Sequence, residues 1–242
     1  MVRFHDVAGE NVNSGLVSVV IPTHNRERYL RAAIESVLAQ DYAPVELIVV
    51  DDGSTDGTAA MIDGMGATVR CIHQENRGIA GARNAGIAVA RGSFLAFLDD
   101  DDVWLPDKLT RQMAAFAAHP ETDAVYGHAE QFYSPEIEPE FWERFRIRPG
   151  VMAAPIAGAL LIRRAAFDRV GPFDPRFGIG VEMDWNARLA EQRLVVTMLP
   201  EVVYRRRLHR GNFNIRHAGE QSERLHVLKA VIDRRRRLSN PS

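Results

Sequence analysis

Short unbroken apolar runs recur through the first hundred residues, and each is followed by a segment whose apolar positions return every three or four residues. Residues 16–21 and 45–50 are valine-rich and continuous, a pattern that suits strands buried on both faces of a parallel sheet. Pro22 is expected to end the first. Between them Leu30, Ile34, Val37 and Leu38 recur at helical spacing, which predicts a crossover helix over 27–40. The turn formers DDGSTDG follow the second strand, with Ser54 or Thr55 placed to cap a helix running to residue 65. A strand at 68–73, an alanine-rich helix at 79–90 and a strand at 94–98 complete an alternation that means a parallel sheet covered by helices.

Beyond residue 102 the pattern loosens. It predicts a helix over 106–119, a strand near 124–132, and then a stretch rich in proline and glutamate to residue 149, read as a mobile loop. An apolar run at 156–162 and strands near 194–199 and 202–204 bracket a helix at 182–191. A last helix over 220–237 carries Leu225, Leu228 and Ile232 on one face, expected to be its packing face.

Composition narrows this picture without redirecting it. Of the 242 residues 46% are hydrophobic and 26% charged, which fits a soluble α/β domain with one core. The formal charge of -2 gives no reason to expect nucleic acid, although the region from Arg205 to Arg237 is strongly basic. No apolar stretch approaches the roughly 20 residues that a spanning helix needs, and the first residues do not read as a signal peptide. Membrane contact is therefore expected to be peripheral at most, through the basic tail. Cys71 is the sole cysteine, so the expected compartment is a reducing cytoplasm.

Open parallel sheets bind ligands beyond the carboxyl ends of their strands. Three such ends are polar here: Pro22, Thr23, His24 and Asn25; Asp51 and Asp52; and Asp99 to Asp102. Four consecutive carboxylates repel one another, and a divalent cation relieves that repulsion. Hard oxygen ligands select Mg2+, Mn2+ or Ca2+, of which Mg2+ and Mn2+ also bridge diphosphate oxygens. One aspartate capping the next helix would be ordinary; four exceed that need.

The segments VSVVIPTHNRERYL, ELIVVDDGSTDGT, NRGIAGARNAGIAVARG and FLAFLDDDDVWLPDKL, in this order, resemble the nucleotide-binding half of the family 2 glycosyltransferases. The resemblance covers about residues 16–109 and implies a GT-A fold: a single Rossmann-like, mostly parallel sheet flanked by helices, with an acceptor-side extension. It divides the chain into an N-terminal extension (1–15), a nucleotide-sugar half (16–109), an acceptor half (110–216) and a C-terminal helix with a basic tail (217–242).

The resemblance also implies roles. Pro22, Thr23, Asn25 and Asp52, with Asp51 beside it, contact the nucleoside base. Asp99 and Asp101 match the family's Asp-x-Asp motif, the first facing the ribose and the second holding Mn2+ or Mg2+. Asp100 and Asp102 flank them and leave the register open by one residue. Arg83 sits where it can bond Asp52 or a phosphate. Inverting transfer needs a carboxylate that takes the proton of the acceptor hydroxyl. Aligning Asp184 and Arg188 with the family's pattern puts Glu182 in that place, with Asp184 as the alternative. Arg207, His209 and Asn212 resemble a late Arg-x-His-x-x-Asn pattern that closes over the diphosphate, His209 completing the metal shell and Arg207 neutralising phosphate.

The implied partners are a nucleoside-diphosphate sugar, with a UDP-sugar favoured, and a hydroxyl acceptor on a glycan, a lipid-linked sugar or a small molecule. Polysaccharide, glycolipid or natural-product glycoside synthesis would use such a transfer. Two readings compete: a degenerate module that binds the nucleotide sugar without turnover, and a magnesium-dependent phosphatase, which leaves the PTHN and DDGSTD segments unexplained.

Overall fold

The computed structural model describes residues 15–138, 140–141, 150–178, 180–212 and 221–239. Its elements run β1 (Val17–Thr23), α1 (Glu27–Leu38), β2 (Val45–Asp52), α2 (Thr58–Asp63), β3 (Arg70–Gln74), α3 (Gly78–Val89), β4 (Phe94–Phe97), β5 (Val103–Trp104), α4 (Lys108–Ala118), β6 (Ala124–Tyr133), β7 (Val151–Ala153), β8 (Leu161–Arg163), α5 (Arg164–Val170), α6 (Val181–Glu191), β9 (Val196–Leu208) and α7 (Gln221–Ser239). One sheet orders them β3-β2-β1-β4-β8-β6-β9-β5, with β7 paired to β6. The strands β3, β2, β1 and β4 are parallel, β8 is inserted antiparallel, and β6 and β9 run parallel to each other.

Both faces of the central strands are covered, which is why β1 and β2 read as unbroken apolar runs rather than alternating ones. Val17, Val19 and Ile21 join Leu30, Ile34 and Val37 of α1 in one core cluster. Val20, Ile48 and Val50 join Ala80 and Ala82 of α3 in the other, together with Phe97, Phe167, Phe173 and Trp185. Gly86 brings α3 down onto the sheet: a Cβ there would lie 2.4 Å from Cγ1 of Val20. That contact is a packing role for a glycine in the GARNAG segment.

Several expectations need correction. β1 continues through Pro22 to Thr23. The helix after β2 starts at Thr58 behind Gly57, and neither Ser54 nor Thr55 caps it; instead Oδ1 of Asp56 accepts the Thr58 N–H at 3.0 Å. The strands expected at 194–199 and 202–204 are one strand, β9, whose register against β6 shifts between Tyr126 and Ala129. Pro200, which lacks a donor, falls in that irregular stretch, so a bulge absorbs it. The apolar run at 156–162 divides into a 3-10 turn, Ala157–Ala159, and the short β8. Most of the expected loop before residue 149, and residues 1–14, lie outside the described residues.

The last helix turns the opposite way from expectation. Val227 is fully buried and Val231 is 8% exposed, whereas Leu225, Leu228 and Ile232 are 62%, 50% and 41% exposed. The helix docks on the start of α6, where Val227 fills the space that the missing side chain of Gly180 leaves. Ion pairs from Arg234 to Glu191 and Asp184 fix the same orientation. Among the described residues no helix is long and apolar enough to cross a membrane.

Gly86→Ala should lower unfolding stability by about 1–3 kcal/mol, the range for overpacking a tight contact, as measured by urea denaturation. An unchanged midpoint would show that α3 has room to move off the sheet.

Candidate active site

The tips of β1, β2 and β4 lie side by side, because Thr23 is in register with Asp51 and Val20 with Phe97. The loops beyond them interlock through Asn25, held at a φ of 54°. Its backbone N–H donates to Oγ of Ser54 at 2.9 Å, and its Oδ1 accepts the N–H of Thr55 at 2.7 Å. The Ser54 and Thr55 that sequence reading assigned to a helix cap are thus spent on the β1 loop. Thr23 is buried, and its hydroxyl has no hydrogen-bond partner among the described residues.

Asp51 and Asp52 are both buried. Asp52 accepts the Gln74 side chain at 2.6 Å and the Arg77 N–H at 2.8 Å, both through Oδ1. Asp51 accepts the Ser54 N–H at 3.0 Å and Nδ1–H of His73 at 3.0 Å. Burial pushes the Asp51 carboxyl up, but the bonds from Ser54 and His73 outweigh it and hold the group below its usual range.

The four aspartates after β4 go four separate ways. Asp99 accepts Nη2 of Arg83 at 2.7 Å. Asp100 lies 3.5 Å from Nε of Arg26. Asp101 accepts Nε2–H of His209 at 2.8 Å, a tautomer set by the Gly211 N–H donating to Nδ1 at 3.0 Å. Asp102 is tied down by the Tyr204 hydroxyl and by the Arg207 N–H at 2.6 Å. Desolvation, then the charge of Asp101, drives the Asp100 carboxyl up to about 8, and burial raises Asp99 and Asp102 as well. Arg83 beside Asp99 and Arg26 beside Asp100 offset that rise only in part. The oxygen donors of these acids fit Mg2+ or Mn2+.

Arg83 is fully buried, and of the two partners expected for it, Asp52 or a phosphate, it bonds no Asp52 oxygen. Its Nη2 bridges Asp99 and Oε1 of Glu182, the latter at 2.9 Å, so one guanidinium joins the β4 tip to the first turn of α6. Its Nε and Nη1 have no partner among the described residues, and the ring of Phe173 lies 5.3 Å from its centre. Asp184, two residues beyond Glu182, is drawn elsewhere: Arg188 and Arg234 occupy both its oxygens at 2.9 and 3.0 Å. Glu182 instead borders a closed crevice with Tyr126, Leu160, Phe173 and Asn186, too narrow to admit a water molecule.

Arg207 is anchored at the same tip, its Nε donating to the Asp101 carbonyl at 2.9 Å. Asn212 braces this segment by accepting the His209 N–H at 2.6 Å and donating to the Arg207 carbonyl at 3.0 Å. Trp104 and Trp185 are buried, with their indole N–H groups on the carbonyls of Gly158 and Gly171. Two participants escaped sequence reading. Gln74 ends β3, where the same strand-end rule would have found it. Tyr29 stacks near His209, at 4.7 Å between ring centroids, and carried no signal beyond its place on α1.

Among the described residues, one set of three metal-ligating side chains has its donor atoms within 4.8 Å of one another: Asp63, Cys71 and His73, away from the β4 tip.

This architecture, with acidic strand tips meeting a carboxylate at the start of α6, is that of the GT-A class of glycosyltransferase folds. The family model for glycosyl transferase family 2 matches residues 18–171, and the chain belongs to that family. An uncharacterized glycosyltransferase of Nostoc sp. is 34% identical over 174 residues, covering 66% of this chain and 54% of the relative. The Escherichia coli UDP-Glc:alpha-D-GlcNAc-diphosphoundecaprenol beta-1,3-glucosyltransferase WfgD is 38% identical over 117 residues, 48% of this chain and 46% of its own. The chain thus spans about half the length, or less, of the curated relatives it matches. In fold it is similar to a mannosyltransferase from Pyrobaculum calidifontis solved with GDP-Man and Mn2+, with a TM-score of 0.69 and 23% identity over 96% of this chain and 68% of that one. The S. aureus TarS structure with UDP-GlcNAc gives a TM-score of 0.65 at 19% identity, covering 81% of this chain and 59% of that one.

Removing the bridge leaves two carboxylates facing each other. Arg83→Met should cost about 3 kcal/mol in a denaturation experiment, at the low end for breaking a buried pair because Asp99 and Glu182 are each about a third exposed. Adding Glu182→Gln should restore part of the loss; an equal or larger loss in the double variant would refute the bridge.

Proposed function

We propose that this chain transfers a sugar from a nucleoside-diphosphate donor to an acceptor hydroxyl with inversion, using Glu182 as the general base. The observation that carries this reading is the Arg83 bridge, which holds Glu182 and Asp99 on one nitrogen at 2.9 and 2.7 Å. A base belongs beside the donor site, and of the two carboxylates in the first turn of α6 only Glu182 is turned toward it. Residues 16–109 serve as the donor half and 110–216 as the acceptor half.

In this reading Pro22, Thr23, Asn25, Asp51 and Asp52 cradle the base, Asp99 and Asp100 line the path to the ribose and diphosphate, and Asp101 would hold Mn2+ or Mg2+, with His209 joining it through Nε2 once the ring proton shifts and the Gly211 contact opens. The ion, when bound, supplies positive charge for the departing diphosphate. Arg207 adds a cation beside the same oxygens. Glu182 takes the proton of the acceptor hydroxyl as that oxygen attacks the anomeric carbon, and the carboxylate is kept ready by a partner that donates a hydrogen bond without giving up its own proton. A UDP-sugar is the favoured donor because the WfgD relative is named for UDP-Glc and TarS is solved with UDP-GlcNAc.

A thermal-shift panel of UDP, GDP, ADP, CDP and dTDP should show the largest rise with UDP plus Mn2+, since a ligand that binds only the folded state stabilises it by mass action. Glu182→Gln should keep that rise and lose about 10²–10⁴-fold in turnover. Asp184→Asn should lower Tm while leaving turnover of the folded enzyme within about tenfold. Full turnover in Glu182→Gln would move the base elsewhere, and donor binding without turnover in the wild type would favour a binding module.

The acceptor in this reading is lipid-linked and reached from the cytoplasmic face of a membrane. WfgD is named for a diphosphoundecaprenol-linked acceptor. Leu225, Leu228 and Ile232 are exposed along one stripe of α7, with exposed Lys229 and Arg236 on the same stripe. Apolar side chains flanked by cations suit an anionic bilayer surface. Arg234 does not contribute, because it is paired with Glu191 and Asp184. Cosedimentation should rise at least tenfold from neutral vesicles to vesicles with anionic phosphatidylglycerol, and Leu228→Glu/Ile232→Glu should abolish it. Equal binding to neutral vesicles, or a dimer dispersed by that variant, would overturn this use of the stripe.

A further inference from the structure

The edge strand β3 carries chemistry that the sugar-transfer reading leaves unused. Cys71 and His73 are two residues apart and so share one face of the strand, and Asp63 at the end of α2 meets them there. Nε2 of His73 is 3.3 Å from Sγ of Cys71 and 3.3 Å from Oδ1 of Asp63. With zinc bonds of about 2.0–2.3 Å, tetrahedral geometry sets neighbouring N, O and S ligands about 3.4–3.6 Å apart. The two distances from Nε2 are close to that spacing, and all three donor atoms lie within 4.8 Å of one another.

The ring is also held from behind. Nδ1 of His73 donates to Oδ2 of Asp51 at 3.0 Å. Asp51 is buried, and its other oxygen is fixed by the Ser54 N–H at 3.0 Å. A carboxylate that receives one ring N–H of a histidine orients the ring and leaves the opposite nitrogen with its lone pair outward, the arrangement found behind metal-bound imidazoles. In the neutral ring that lone pair faces a carboxylate oxygen and a sulfur; a proton on Nε2 would answer the Asp63 carboxylate and leave the sulfur unused, whereas a metal ion engages nitrogen, oxygen and sulfur at once.

We propose that Asp63, Cys71 and His73 bind one transition-metal ion of the zinc class, with water in the remaining position. Sulfur and imidazole ligands select Zn2+ or Co2+ over Mg2+ and Mn2+, so this site and the oxygen-lined β4 tip take different ions. Binding converts the Cys71 thiol to a thiolate, forms the metal–sulfur bond and releases one proton to solvent. Because Asp51 holds both His73 and the Ser54 loop, an occupied site braces that loop from behind. The inference is independent of the assignment of Glu182 or of a donor.

The test uses the full chain, stripped with a chelator and held in excess Mg2+ so that hard-oxygen sites are filled. Titration with Co2+ should produce a near-ultraviolet thiolate-to-cobalt absorption that saturates at one ion per chain, releases one proton and is displaced by Zn2+. Cys71→Ser should abolish the band, His73→Gln should weaken binding at least tenfold, and Asp51→Asn should weaken it about 10–100-fold, as loss of such a partner does elsewhere. Asp101→Asn should leave the band intact. Circular dichroism of each variant shows whether it is folded. No thiolate band in the wild type, or Zn2+ affinity unchanged in folded Cys71→Ser and His73→Gln, would overturn the site.

Discussion

A single buried guanidinium sets the geometry of this molecule's working face. Arg83 stands on α3, which small residues hold tightly against the sheet: Ala80 and Ala82 are buried beneath it, and Gly86 sits against Val20 and Val50. That close approach brings the side chain under the β4 tip, where it meets Asp99 from one half of the chain and Glu182 from the other. A charge without access to water is tolerable only when paired, and two carboxylates and the face of Phe173 supply that pairing. The requirement works in both directions, since α6 must present an acid at its first turn or leave the arginine undercompensated.

The four consecutive aspartates show how a fold assigns different work to identical neighbours. The Asp102 N–H returns to the Asp99 carbonyl at 3.2 Å, so the chain turns within the run and points successive carboxylates in different directions. Asp102 is consumed in joining β9 to the tip. Asp101 and Asp100 stay near the front with one cationic or histidine neighbour each. Carboxyls rise in this cluster because the acids are gathered in a sparsely solvated place, desolvation being the first cause and neighbouring like charge the next.

The parts of the fold that were legible share a physical cause. β1, β2 and β4 lie at the centre of the sheet with both faces covered, so their burial leaves an unbroken apolar record. α1 and α3 bury one face each and repeat accordingly. Elements at the margin left weaker records. In sequence β9 looks like two strands because Pro200 interrupts its composition, although β6 pairs with it on both sides of the bulge. The largest apolar residues of α7 suggest one packing face, yet it is Val227 that fills the space beside Gly180 while Arg234 pairs with Asp184 and Glu191.

Sequence alone determined the alternation of strands and helices, the clustering of acids behind strand ends and the likeness of four ordered segments to a family. These are local or periodic properties, written in the spacing of residues along the chain. Tertiary structure decided which side chains meet: Arg83 with Glu182 rather than Asp52, Asp184 with Arg188 and Arg234, and Cys71 with His73 and Asp63. Such pairings join residues up to 99 positions apart. Asp184 with Arg188 and Cys71 with His73 follow local spacing, but no spacing rule encodes the long-range partners, because they depend on how closely helices pack on the sheet, and that distance is set by the volume of side chains meeting in three dimensions.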